Sequence, residues 1–155
     1  MEAVTPREIK SVVIIPAYQE QGRIGAVVKR VLHHVRDVVV VDDGSTDQSA
    51  AEAVEAGAGV LKHERNRGKG VALTTGFEYA RKQGFEVAVT MDADGQHNPD
   101  DVPRFLEAYR RTGIPILIGN RMADTTGMPW IRLMTNRYMS WLLSREMKQY
   151  VPDTQ

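Results

Sequence analysis

A chain of 155 residues and 17.3 kDa has room for one domain and excludes a second large one. Twenty basic residues balance 20 acidic ones, so no global charge attracts nucleic acid, and zero cysteines exclude disulfides and thiolate metal sites. With 42% apolar and 26% charged residues the composition is that of a folded globular protein, not of a disordered one.

The first ten residues lack the apolar stretch of a signal peptide, and no apolar run is long enough to span a bilayer, which makes the cytoplasm the expected compartment. Ser11 to Ile15, closed by Pro16, reads as a strand buried on both faces. Ile24, Val27, Val28, Val31, Leu32 and Val35 then repeat with helical period. Val38 to Val41 is a second strand, closed by Asp42 and Asp43, so the unit is a parallel crossover. Thr46 to Ala56 predicts a helix, Val60 to His63 a weak strand, and Lys69 to Gln83 a helix with Leu73, Phe77 and Ala80 inward. Val87 to Met91 is the fourth strand. Asn98 as N-cap, Pro99 in the first turn, and Asp100 and Asp101 at the positive dipole end open a helix whose core face is Val102, Phe105, Leu106 and Tyr109. Ile114 to Ile118 predicts a fifth strand, and Ile131, Met134, Tyr138, Trp141 and Leu142 a last helix.

This alternation predicts an α/β fold, an open and mostly parallel sheet with helices on both faces. Ligands of such sheets bind beyond the carboxyl ends of the strands. That rule gathers Tyr18 and Glu20, Asp42 and Asp43, Asp92 and Asp94, and Gly119 to Arg121 along one edge.

Between Glu86 and Asp101 stand five carboxylates and no Lys or Arg, a local charge that calls for a cation. Asp92, Asp94 and Gln96 alternate directly after a strand, so an extended segment aims three oxygen donors one way, a set suited to Mg²⁺ or Mn²⁺ completed by a diphosphate. The competing reading is that the two aspartates cap a turn. His97, just before the N-cap, reads as a turn residue rather than a ligand. The adjacent carboxylates of Asp42 and Asp43 at a buried strand end repel one another unless donors reach them, which a base edge or a ribose diol would supply. Gly44 gives the following turn its freedom, while Ser45, Thr46 and Asp47 have capping roles.

Asn66-Arg67-Gly68-Lys69-Gly70 precedes a helix, where N–H groups and two cations suit a phosphate. Its spacing is not that of the P-loop, and Gly57-Ala58-Gly59 is not a dinucleotide fingerprint, so a simple kinase or dehydrogenase is disfavoured. From Arg121 to Lys148 five cations meet two acids, which places phosphate binding there. Trp130, Met134, Met139 and Trp141 between arginines suit either a lipid headgroup boundary or a core helix.

Five ordered motifs, Val13-Ile14-Ile15-Pro16-Ala17-Tyr18-Gln19-Glu20, Val41-Asp42-Asp43-Gly44-Ser45-Thr46-Asp47, Asn66-Arg67-Gly68-Lys69-Gly70, Met91-Asp92-Ala93-Asp94-Gly95-Gln96-His97 and Ile118-Gly119-Asn120-Arg121, resemble family 2 glycosyltransferases, most closely dolichyl- or polyprenyl-phosphate sugar synthases. The resemblance implies one GT-A domain over residues 1–155 that moves a sugar, with inversion, from a UDP- or GDP-linked donor to an acceptor such as a polyprenyl phosphate at the inner membrane surface. By motif match Pro16, Tyr18, Glu20, Asp43, Lys69 and Asp92 would hold the nucleotide, and Asp92, Asp94 and Gln96 the Mg²⁺ or Mn²⁺. Asp94, Arg121, Arg132 and Asp153 would serve catalysis. Gln19 stands where the family usually has Asn, a change that keeps the amide. Val151-Pro152-Asp153-Thr154-Gln155 resembles the opening of the family's Asp-x-Gln-x-Gly-Phe-Arg segment, so the acceptor side is expected to be incomplete and transfer by this chain weak or absent. The alternatives are a non-catalytic nucleotide-sugar-binding remnant and a nucleotidyltransferase; the latter would need a basic glycine-rich loop after the first strand, where Pro16 to Gly22 has no base.

Overall fold

A computed structural model describes residues 9–119 and Arg145. Residues 9–113 form one compact unit, and 114–119 belong to a second. Chain order in the first unit is β1 (Ser11–Ala17), α1 (Ile24–Leu32), β2 (Asp37–Asp42), α2 (Ser49–Glu55), β3 (Gly59–Lys62), α3 (Lys69–Lys82), β4 (Val87–Thr90), a 3₁₀ turn (Pro99–Asp101) and α4 (Val102–Thr112).

The four strands pair in parallel in the order β3-β2-β1-β4. Valine and isoleucine fill both faces of the central strands: Val12, Val13, Ile14, Ile15, Val40 and Val41 are fully buried, each contributing about 1.5–3 kcal/mol of transfer free energy. On one face Val12, Ile14, Val39 and Val41 meet Ala72 and Ala80 of α3. On the other, Val13, Ile15, Val38 and Val40 pack with Ile24, Val28 and Val31 of α1, Ala53 of α2 and Val102 of α4. Proline sits in β1 without breaking the ladder. Pairing with β4 stops at Ile14 opposite Thr90, so Pro16 lies past the doubly paired part of the strand.

Helix α3 departs from the expected face. Ala72, Gly76 and Ala80 are buried with Leu73 half-buried, while Phe77 is 46% exposed. The smallest residues face inward because the helix lies close against β1: a Cβ on Gly76 would stand 2.4 Å from Ile14 Cγ2. On α4, Val102 is buried and Phe105, Leu106 and Tyr109 are half-buried, as the spacing predicts.

No strand forms over 114–118. Ile116 and Ile118 are 73% and 75% exposed, and Pro115 has no N–H to give to a ladder. The predicted last helix, together with Arg121, Arg132 and Asp153, falls outside the described residues.

Candidate donor and metal site

The strand order runs outward from β1 to β3 and then returns to the other side of β1 for β4, which makes β1 and β4 the switch point of the sheet. The loops after these two strands carry Tyr18 and Glu20 on one side and Asp92, Asp94 and Gln96 on the other. Between α1 and the loop after β4 lies a cavity of about 220 Å³, lined by Gly22, Arg23, Arg30, Asp94, Gly95 and His97 among others.

The loop after β1 is held by its backbone. Four consecutive N–H groups donate to side chains of the segment after β2: Gln19 to Ser45 Oγ (3.0 Å), Glu20 to Ser49 Oγ (2.8 Å), Gln21 to Asp47 Oδ2 (3.2 Å) and Gly22 to both oxygens of Glu52 (3.0 and 2.7 Å). Ser45 and Asp47 are therefore a clamp between two loops as well as capping groups, with Asp47 also accepting from the Ser49 N–H at 3.0 Å. The Ser49 hydroxyl and these N–H groups hold the Asp47 carboxyl below its ordinary range. Tyr18 is 47% exposed above the clamped loop, and Glu20 turns to Arg23 at 3.0 Å. Gln19 has φ +57°, a left-handed backbone that asparagine tolerates better than glutamine. Its difference from the family pattern is thus a matter of backbone as well as of the amide.

Asp42 and Asp43 are both buried, and the donors that relieve their repulsion come first from the chain itself. Asp43 accepts from His63 Nδ1 at 2.6 Å, from the Arg67 N–H at 3.0 and 3.1 Å, and from the Gly68 N–H at 2.7 Å. Burial alone would push its carboxyl up, but the His63 and backbone hydrogen bonds outweigh it and hold the group below the usual carboxylate range. Asp42 Oδ1 accepts from the Ser45 N–H at 3.0 Å, whereas Oδ2 has no hydrogen-bond partner and lies 3.7 Å from Lys62 Nζ.

Gly44 is required twice over. Its φ is +78°, and a Cβ there would stand 2.4 Å from the Arg65 carbonyl carbon, so the turn after β2 rests directly on the backbone leading to α3. His63, which sequence reading placed only at the end of a weak strand, is 8% exposed and joins Asp43 to Thr75 Oγ1 of α3, 3.0 Å from Nε2.

The Arg67 and Gly68 N–H groups, expected to face a phosphate, are committed to Asp43. The next residue, Lys69, opens α3 and reaches Asp92 Oδ1 at 2.6 Å. The turn at 66–69 thereby joins the acidic end of β2 to the acidic loop after β4, and the two share one rim as the strand-end rule predicts. Asp92 donates its N–H to His97 Nδ1 at 3.2 Å, which leaves the ring proton on Nε2, 3.9 Å from Asp92 Oδ2. His97 is a turn residue here. The segment after β4 is not extended as expected: it turns at Ala93 and Asp94, Gly95 has φ +76°, and Asp94 Oδ1 accepts from the Gln96 N–H at 2.9 Å, so Asp94 caps a turn as in the competing reading, and alternation along a strand does not align the three donors. Gln96 itself is exposed. Arg30 to Asn98 Oδ1 (3.2 Å) and His34 to Asp100 (2.9 Å) tie this loop to α1 and to the turn that follows it, and Asn98 caps the Asp100 N–H.

Among the described residues no three His, Cys, Asp or Glu side chains converge as a closed metal cage. Two carboxylates at a rim, one already drawing a cation, fit a hard divalent ion that takes its other ligands from phosphate and water.

The sequence model described as glycosyl transferase family 2 matches residues 12–154. The chain belongs to glycosyl transferase family 2. It is 32% identical over 163 residues to the UDP-N-acetylglucosamine--dolichyl-phosphate N-acetylglucosaminyltransferase of Methanococcus voltae, a match covering 92% of this chain and 65% of that one. With the polyprenol monophosphomannose synthase of Mycolicibacterium smegmatis the identity is 35% over 149 residues, covering 86% and 56%. The chain thus spans roughly three fifths of the length of these relatives. Among solved structures, glucosyl-3-phosphoglycerate synthase from Mycobacterium tuberculosis in complex with Mn²⁺, UDP-glucose and phosphoglyceric acid matches with a TM-score of 0.52 and 27% identity over 61% of this chain and 37% of that one. The match to this synthase bears out the GT-A expectation for the parallel sheet.

Proposed function

We propose that this chain forms the donor-binding part of an inverting glycosyltransferase that takes a sugar from a UDP- or GDP-linked donor and delivers it to a polyprenyl phosphate, working at the cytoplasmic face of a membrane. The observation that carries the reading is the joining of Asp43 to Asp92 through Gly68 and Lys69 at the switch end of the sheet. Tyr18, beyond β1, offers a ring to a base, and Pro16 and Glu20 border the same loop. Asp43 acts by fixing the turn from which Lys69 extends toward the diphosphate.

Asp92, Asp94 and Gln96 would hold Mg²⁺ or Mn²⁺, which when bound supplies positive charge for the departing diphosphate. The support is the donor chemistry of these side chains and the Mn²⁺ and UDP-glucose in the synthase from M. tuberculosis. A phosphate acceptor is ionised near neutral pH, so its oxygen attacks the anomeric carbon without a strong general base. Arg121 and Arg132 are proposed to meet the phosphates, and Asp153 to serve the acceptor side. Names of relatives carrying dolichyl and polyprenol support that acceptor class, and no helix among the described residues is long and apolar enough to cross a membrane.

A thermal-shift screen of UDP- and GDP-sugars with and without Mn²⁺ tests the reading, because a ligand selective for the native state raises the melting temperature. A rise with one nucleotide class in the presence of the metal is expected. No shift with any donor would overturn the proposal.

A further inference from the structure

The acidic segment from Glu86 to Asp101 contains no Lys or Arg of its own, yet cations reach it from outside: Arg104 pairs with Asp101 at its far end, and Lys69 with Asp92 at the sheet edge. Lys69 Nζ stands 2.6 Å from Asp92 Oδ1, reaching across from the first residue of α3. The lysine side chain is 60% exposed and the aspartate's 33%, so neither is locked in place by packing. The root of Lys69 is fixed all the same: the preceding Gly68 is held by its N–H on Asp43 at 2.7 Å, and the Val71 and Ala72 N–H groups bond to the Gly68 carbonyl. A flexible four-carbon arm on a fixed base can change partners without moving the backbone.

We propose that Lys69 is a resident counter-cation which yields Asp92 Oδ1 to the divalent metal and passes to the diphosphate that arrives with it, so that metal and nucleotide bind cooperatively. The inference rests on the reading of Asp92 as a metal ligand. An ammonium group and a metal ion cannot both occupy a position close against Oδ1, so binding of the metal alone must break the pair and strand the lysine's charge beside a second cation. Binding of the metal with a diphosphate gives Lys69 a new anion within the reach of its arm. The cost of breaking the pair is thus offset only when both ligands are present, and by linkage each raises the affinity of the other by the same factor.

Electron paramagnetic resonance of free Mn²⁺, titrated with and without UDP, tests this on the wild type, Lys69→Met, Lys69→Arg and Arg67→Met. Arg67→Met removes an exposed cation two residues away that is not paired with Asp92, and so measures the general effect of losing a charge. For Lys69→Met, Mn²⁺ affinity without UDP is expected to rise about 1.5- to fivefold, the range set by the strength of an exposed ion pair. The factor by which UDP tightens Mn²⁺ binding should fall. Lys69→Arg should keep wild-type behaviour in both respects. Unchanged metal affinity in Lys69→Met, or an equal gain in Arg67→Met, would overturn the proposal. Absence of Mn²⁺ binding in all four proteins even with UDP would instead remove the metal reading of Asp92, and this inference with it.

Discussion

The imidazole Nδ1 of His63, at the end of β3, lies 2.6 Å from Asp43 Oδ1 at the end of β2, and both side chains are buried. The ring's other nitrogen meets Thr75 of α3, so one histidine ties two strand ends to the helix that carries Lys69. His63→Ala leaves a buried carboxylate oxygen and a hydroxyl short of a partner and is expected to cost about 1–3 kcal/mol. His63→Asn, which keeps a donor near the place of Nδ1, should recover part of that loss. Urea unfolding of the two variants beside the wild type measures the difference.

Acid should loosen the same junction. Hydrogen bonds from His63, Arg67 and Gly68 outweigh burial and hold the Asp43 carboxyl below its ordinary value of 3.8, so the native state binds fewer protons there than the unfolded chain. The stabilisation is complete above the unfolded value and is lost as pH falls through the lowered native one. Melting temperatures followed downward from pH 5 should therefore fall more steeply in the wild type than in Asp43→Asn, whose side chain does not titrate.

Two glycines on α3 are expected to respond oppositely to the same change. At Gly76 an added methyl group meets Ile14 Cγ2 at 2.4 Å, and overpacking of about 1–3 kcal/mol outweighs the gain in helix propensity of at most about 1 kcal/mol. At Gly70 nothing lies within 4 Å of the new atom, so Gly70→Ala should stabilise by about 0.5–1 kcal/mol. Denaturant midpoints read both signs.

Gln19→Asn should stabilise the chain by up to about 1 kcal/mol, because φ +57° is a conformation asparagine adopts more readily. The hydrogen bond from Gln19 Nε2 to Thr46 Oγ1 is exposed and adds little to the opposing side. Chemical denaturation of this variant, compared with Gln19→Gly, separates backbone relief from loss of the amide.

The parts of the fold legible in the sequence were those with a period or a boundary. Valine-rich runs ending in acidic pairs marked parallel strands and their carboxyl ends, and that alone brought Tyr18, Asp43 and Asp92 to one edge. The acidic stretch also demanded a cation, but composition could not say that it would come from Lys69, 23 positions earlier in the chain. His63 carried no signal, since a lone histidine in a four-residue strand has no periodicity and its partner lies 20 residues away. Apolar spacing alone predicts Phe77 inward, whereas the face of α3 is set by how closely the helix approaches Ile14, which favours Gly76. The 114–118 run has the β-branched composition of a strand but, with Pro115 in it, not the donors of one.

The most direct test of the donor site is isothermal calorimetry of UDP and GDP with and without Mn²⁺ on the wild type and Asp94→Ala. One of the two nucleotides is predicted to bind the wild type in the presence of the metal, with most of the heat lost when the metal is omitted or when Asp94 is replaced. Equal binding with and without Mn²⁺, or an Asp94→Ala variant indistinguishable from the wild type, would contradict a metal-bridged diphosphate at this rim.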